Sequence, residues 1–211
     1  EFFGTSAAND LAGTNMRLVK SGDYYVAQSG GSYVAPTAGA TSLVLGDDAE
    51  VTVNLTGSFP YFSGTTSTLT VCSNGFVSVA GGNGTSYALS AASWLSSVAP
   101  RFGMWHDYNP NALGSGSVKF QQVGTIAYVS WDGVFSFGRT SGGSTWQLQF
   151  DTATGNVTYA FQSIDPQGST SNATNQFLVG AAGTAPNDDL GSMDITASLP
   201  STFRVGRDNA Q

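Results

Sequence analysis

The feature that most constrains this fold is a strict alternation of apolar and polar residues between residues 118 and 161. The alternating apolar positions are Val118 and Phe120; Ile126 and Tyr128; Trp146, Leu148 and Phe150; and Val157, Tyr159 and Phe161. A repeat of two residues places one face of a β-strand in a core and the other in water. We therefore predict four strands in this region, with the apolar set of each strand facing inward.

The composition favours the same fold class over the rest of the chain. Only 10% of the 211 residues are charged, against roughly 25% in an average globular protein. The 27 glycines suit many short strands joined by turns. We predict an all-β fold, a single antiparallel β-sandwich (jelly-roll-like) over residues 1–211, with at most one or two short helices. Residues 1–2 are interpreted as a cloning remnant, and 3–40 as an N-terminal segment packing on the sandwich.

Local signals place several further elements. Asn74-Gly75 between two apolar runs predicts a hairpin of residues 67–72 against 76–80. Ser90 is a suitable N-cap for a helix over residues 90–98, and Pro60 excludes its own segment from a central strand. Additional strands are predicted at residues 41–45, 51–55, 176–181 and 193–197.

Charge and cysteine content narrow the classes of partner. The net charge is −7 with only seven Lys and Arg residues, so the chain lacks the basic surface that binds nucleic acid or anionic membranes. No apolar run reaches the ~20 residues of a membrane span. The single cysteine, Cys72, excludes an internal disulfide, so disulfides cannot serve as evidence of secretion. We infer secretion from the low charge and the Gly/Ser/Thr content.

The order of several short motifs resembles the nidogen-like extracellular domain and related bacterial secreted modules. The matching motifs are Asn74-Gly75-Phe76, Trp105-His106-Asp107, Gly116-Ser117-Val118, residues 128–131, residues 145–150 and residues 154–161. The resemblance covers about Leu69 to Ile164. It implies a β-sandwich fold and extracellular adhesion or matrix interaction, and it carries over no catalytic residues.

A loop with oxygen-bearing side chains at alternate positions is the candidate metal site. Asp107, Asn109 and Asn111 could direct oxygens to one hard cation such as Ca²⁺. The loop lacks the glycine and the acidic twelfth residue of an EF-hand. The alternative is that Asp107 and Asn109 hold a turn through side-chain to backbone hydrogen bonds. Two other acidic groups, Asp47-Asp48-Glu50 and Asp188-Asp189 with Asp194, are interpreted as solvated turns.

Candidate catalytic residues are few. His106 is the sole histidine and thus the sole imidazole for proton transfer near neutral pH. No nucleophile elbow is present, and Cys72 lies in a strand pattern where a free cysteine behaves as a small apolar residue. A glycan-cleaving pair of carboxylates could be drawn from Asp107, Asp132 and Asp151. His106, Asp107 and Asp132 are the candidates for a catalytic role.

Aromatic residues beside the same loop suggest a sugar-binding platform instead. Trp105, His106 and Tyr108 are the candidate ligand-binding residues, because aromatic faces suit the apolar faces of sugar rings. A binding module predicts an exposed patch formed by residues 105–111 and 138–144. We therefore predict a secreted or bacterial-surface binding or adhesion module, part of a larger multidomain protein, that recognises a glycan or an extracellular protein without catalysis. The alternative is a secreted glycan-active hydrolase or lyase that uses Asp and His residues around 106–132.

Overall fold

Two antiparallel β-sheets form the framework of the structure. The computed structural model describes residues 1–3, 9–61, 64–171, 176–189 and 191–203. The strands are β1 (Phe2–Phe3), β2 (Asn15–Ser21), β3 (Tyr24–Ser29), β4 (Thr41–Ser42), β5 (Glu50–Tyr61), β6 (Gly64–Cys72), β7 (Phe76–Val79), β8 (Arg101–Trp105), β9 (Ser117–Val123), β10 (Ile126–Val134), β11 (Ser144–Asp151), β12 (Val157–Ser163), β13 (Phe177–Ala182) and β14 (Ser201–Phe203). The helices are α1 (Ala91–Leu95) and α2 (Ile195–Ser198).

The strands form a sandwich of unequal layers. The six-stranded sheet has the order β1-β13-β8-β7-β6-β5, and the eight-stranded sheet the order β14-β3-β2-β12-β11-β10-β9-β4. Aromatic side chains join the inner faces: the Phe150 ring of β11 lies edge-on at 5.3 Å from Phe59 and 5.8 Å from Phe102 of the opposite sheet. The predicted all-β sandwich with two short helices is confirmed. Within the described residues, no helix is long and apolar enough to cross a membrane.

The local predictions with a specific chemical signal are confirmed. The hairpin joins β6 to β7, with Cys72 paired to Phe76. Helix α1 begins where expected, because the Ser90 hydroxyl accepts a hydrogen bond from the Ser93 amide, but it ends at Leu95. Pro60 lies in β5, an edge strand.

Other predictions were wrong in position or type. The segment predicted as a strand at 193–197 instead begins helix α2, which Asp194 caps, and β4 is only two residues long. The N-terminal segment contributes β2 and β3 to the larger sheet rather than only packing on it. In β10 the alternate residues Ala127, Val129 and Trp131 are buried, so Ile126 and Tyr128 face outward, opposite to the prediction.

Residues 30–40, here called the strap, cross the outer face of the eight-stranded sheet. The strap connects β3 near one edge to β4 at the other, six strand positions away. At about 4.8 Å per strand the crossing spans roughly 29 Å, and eleven residues reach at most ~36–40 Å. The strap is therefore largely extended, and the hydrogen bond from the Ala40 amide to the Thr37 carbonyl (3.0 Å) closes a turn at its end.

Glutamine side chains on the sheet supply the missing hydrogen bonds. The Gln147 amide both donates to the Val34 carbonyl (2.8 Å) and accepts from the Val34 amide (3.2 Å). Gln149 donates to the Ser32 carbonyl (2.7 Å), and Gln121 accepts from the Thr37 amide (3.1 Å). Side-chain amides thus take the place of a neighbouring strand.

Replacing Gln147 with leucine is expected to lower the free energy of unfolding by about 2 kcal/mol. The substitution removes four hydrogen bonds, two with Val34, one to the Ser130 hydroxyl and one from the Gln149 amide, each worth about 1 kcal/mol before the freed groups gain water contacts. Urea denaturation measures the loss. Gln162→Leu, at an exposed position of β12, is the matched control, and equal losses in the two variants would contradict the role of Gln147.

Candidate binding surface

The segment that the sequence marked for ligand binding is buried. Trp105, His106, Asp107 and Tyr108 are each at most 2% exposed. The Asn74 side-chain oxygen accepts a hydrogen bond from the Tyr108 amide at 3.0 Å. The Asn74 backbone carbonyl accepts one from the His106 amide at 3.1 Å. The expectation of an exposed aromatic patch at this segment was therefore wrong, and only residues 109–111 of the loop reach the surface.

The Trp105 ring belongs to a second apolar cluster on the outer side of the six-stranded sheet. It packs against Phe76 and Trp94, and its Nε1 donates to the Ser86 carbonyl at 2.8 Å. The buried guanidinium of Arg101 lies 4.3–5.4 Å from the centres of these three rings. Desolvation lowers the pKa of Arg101 to about 10, so the group stays charged and is held by cation–π contacts. Trp105 is thus part of the packing.

His106 makes a hydrogen-bonded pair with Ser136, a residue that sequence reasoning missed. The His106 Nδ1 lies 2.7 Å from the Gln176 carbonyl oxygen, so Nδ1 carries the proton, because a carbonyl only accepts. Nε2 can then accept from the Ser136 hydroxyl at 2.9 Å. Burial lowers the pKa of His106 to about 4, which keeps the ring neutral at pH 7.

The Ser136–His106 contact has the form of an activated hydroxyl, but its surroundings are closed. Both residues are 0% exposed, and the His106 ring is stacked on Phe177 at 4.0 Å. Asp107 does not orient the imidazole, because its Oδ2 accepts from the Ser169 and Ser171 hydroxyls. A substrate has no access to the pair in this conformation.

The oxygens proposed for calcium are engaged in local hydrogen bonds. Asn109 Oδ1 accepts from the Asn111 amide at 3.0 Å, which is the turn-holding role that the alternative interpretation gave it. Asp107 is instead bound by serine hydroxyls, and burial raises its pKa. No group of three or more His, Cys, Asp or Glu residues suited to a metal ion occurs among the described residues. A calcium site at residues 107, 109 and 111 stays a prediction.

Two acids from a distant part of the sequence lie near Asp107. The Asn74 amide donates to Asp48 at 2.7 Å. Burial, followed by the charges of Asp48 and Asp107, raises the pKa of Asp47 to about 6. The Asp47 Oδ1 is buried and has no hydrogen-bond partner among the described residues. The fold thus brings Asp47, Asp48 and Asp107 together and concentrates negative charge at this end of the sandwich, although these acids lie in separate turns of the sequence.

The remaining candidate carboxylates, Asp132 and Asp151, lie too far from each other to act as a pair. Asp132 pairs with Lys119 at 2.6 Å on the outer face of the sheet. Asp151 lies opposite Ile126 in β10, six residues from Asp132, or roughly 20 Å along a strand. A glycosidase needs its two carboxylates about 5–10 Å apart, so these two cannot form such a pair. Burial raises the pKa of Cys72 to about 12, which leaves its thiol protonated.

The half-exposed aromatic side chains of the sheet lie instead beside the strap. Tyr128 faces outward between Gln121 and Gln149 of the two neighbouring strands. Tyr33 belongs to the strap, and burial together with the nearby charge of Asp132 raises its pKa to about 12. Both rings are only partly buried. This surface, the strap face, combines aromatic rings with side-chain amides and one ion pair.

Comparisons with known proteins identify one relationship. A family model described as NIDO related matches residues 23–128, about half of the chain. The match begins just before β3 and includes the strap, the β6–β7 hairpin and the buried Trp105–Tyr108 segment. No curated protein and no solved structure matches the chain.

Proposed function

Because the chain belongs to the NIDO-related family, we propose that it is a secreted or cell-surface binding or adhesion module. In this proposal it recognises a glycan or an extracellular protein and catalyses no reaction of its own. The family relationship supports an extracellular location, as does the low content of charged residues. We further propose that the module belongs to a larger bacterial surface or secreted protein.

The observation that carries the proposal is the composition of the strap face. Tyr33 and Tyr128 present partly exposed rings, and Gln121 and Gln149 flank Tyr128 on the neighbouring strands. Partly exposed aromatic rings suit a neutral, hydroxyl-rich partner, because they cover the apolar faces of sugar rings, while the Gln121 and Gln149 amides hold the strap in place beside Tyr128. The buried Trp105 and Tyr108 rings have no comparable access.

The electrostatics favour a neutral partner at this face. Lys119 is paired with Asp132 there, and the whole chain carries a net charge of −7. An anionic ligand would be repelled over most of the surface. Among glycans, neutral chains are therefore expected to bind in preference to sulfated or uronic-acid chains.

Replacing Tyr128 with alanine is expected to weaken partner binding about fivefold or more. The substitution removes the ring without touching the core, because the inward residues of β10 are Ala127, Val129 and Trp131. Removing an aromatic side chain that stacks on a nucleobase costs about 1–3 kcal/mol. We expect a similar loss for a sugar ring, and 1.4 kcal/mol corresponds to tenfold in affinity. A glycan array identifies the best-bound glycan, which is then titrated against each variant.

Tyr87→Ala is the matched control, since Tyr87 is 43% exposed in the segment before α1 and lies outside the strap face. Tyr33→Ala is expected to behave like Tyr128→Ala. Unchanged affinity in both strap-face variants would refute the proposed surface. If the array shows no binding, cross-linking through a residue of the strap face tests for a protein partner, and no cross-linked protein would also contradict the proposal.

A further inference from the structure

A cavity of about 290 Å³ lies on a different part of the molecule. It is bounded by β13, helix α1 and residues 187–189 and 191–199, and β2 and β3 of the opposite sheet also contribute to its wall. Its principal apolar lining residues are Met16, Trp94, Leu178, Met193, Ile195 and Leu199. A concave apolar space of this size is typical of sites for small molecules.

The charged side chains that line this cavity are all acidic. They belong to Glu1, Asp188 and Asp189, and neither lysine nor arginine is present among the described lining residues. The Glu1 carboxylate accepts from the Ile195 amide at 2.9 Å, so it is held in the wall of the cavity. Asp188 and Asp189 lie exposed, which gives the opening a negative charge.

We propose that this cavity binds a small amphiphilic cation, an organic ammonium with an apolar body. The apolar lining removes the body of such a molecule from water, at about 25 cal/mol for each Å² that is buried. The aspartates at the opening attract its ammonium group. A neutral molecule of the same shape lacks this second contribution, and a carboxylate is repelled.

This inference is independent of the strap face. The cavity is lined by α1, β13 and residues 187–189 and 191–199, whereas the strap lies over β9–β12. Failure at one surface leaves the other untouched. The two proposals therefore need separate ligands and separate variants.

Matched eight-carbon probes test the proposal by isothermal titration calorimetry below their micelle-forming concentrations. We expect n-octylammonium to bind more tightly than n-octanol, and n-octanoate to bind more weakly than either. Trp94 lines the cavity and is 3% exposed, so binding is also expected to change tryptophan emission. In Trp94→Phe this change is expected to disappear while calorimetric binding persists.

Two variants address the charge and the space separately. Asp189→Asn keeps an oxygen for the Gly191 amide, which it accepts at 2.8 Å, and is expected to weaken n-octylammonium about fivefold without affecting n-octanol. Asp23→Asn, an exposed acid outside the lining, is expected to change nothing. Ala91→Phe places a ring at an exposed lining position of α1 and is expected to reduce the affinity of all three probes.

Three results would overturn the proposal. The first is equal binding of n-octylammonium and n-octanol, which would remove the role of the aspartates. The second is an effect of Asp23→Asn as large as that of Asp189→Asn, which would indicate general electrostatic attraction. The third is the absence of calorimetric binding for every probe by a folded wild-type protein.

Discussion

Replacing Gly75 with alanine is expected to destabilise the protein by at least about 4 kcal/mol. Gly75 follows Asn74 in the β6–β7 hairpin and has φ +85°, a conformation that costs other residues roughly 1–2 kcal/mol. A Cβ atom there would also lie well inside 3.0 Å of the Met104 carbonyl oxygen. That oxygen belongs to β8, so the clash can be relieved only by moving a central strand.

Two other glycines separate the conformational strain from the clash. Gly124 has φ +58° and open space around the Cβ position, so Gly124→Ala is expected to cost about 1 kcal/mol. Gly103 lies against the Gly75 carbonyl without a positive φ, so Gly103→Ala tests the close approach alone. Guanidinium denaturation of the three variants measures each loss. Similar losses for Gly75→Ala and Gly124→Ala would show that the hairpin does not approach β8 this closely.

The burial of the Trp105–Tyr108 segment could not be predicted from sequence, because its hydrogen-bond partners are distant along the chain. Its burial depends on Asn74, which lies 34 residues away from Tyr108, and on Ser169, 62 residues away from Asp107. A polar loop with Trp, His and Tyr has the composition of an exposed ligand site. No local pattern indicates that distant polar side chains will satisfy its backbone and its carboxylate.

The strand register was predictable only where one face was clearly polar. In β11 apolar Trp146, Leu148 and Phe150 alternate with glutamines, so only one face of the strand can be the buried one. These three residues are fully buried. In β10 both faces carry apolar residues, because Ile126 and Tyr128 lie outward on the strap side of the sheet while Val129 and Trp131 fill the core. A period of two cannot choose between two apolar faces.

Acidification is expected to destabilise the protein through His106, with the loss concentrated between pH 6.5 and pH 4. Burial lowers the pKa of this ring in the folded protein from 6.5 to about 4. Below pH 6.5 the unfolded chain binds a proton that the folded protein does not, so the stability present above pH 6.5 is lost as the pH falls. A difference of 2.5 units, at 1.36 kcal/mol for each unit, predicts a loss of about 3 kcal/mol at pH 4.

The acids near His106 act in the opposite direction, so the experiment needs a variant that lacks only the imidazole. The pKa of Asp47 is raised to about 6, and the folded protein therefore gains relative stability as that group is protonated. His106→Gln retains the acids and removes the titrating ring. Because the contributions of the acids cancel in the comparison, the stability difference between wild type and His106→Gln is expected to fall by about 3 kcal/mol from pH 7 to pH 4, measured by urea denaturation. A constant difference across this range would mean that His106 is protonated in the folded protein, and thus reachable by water and by a substrate.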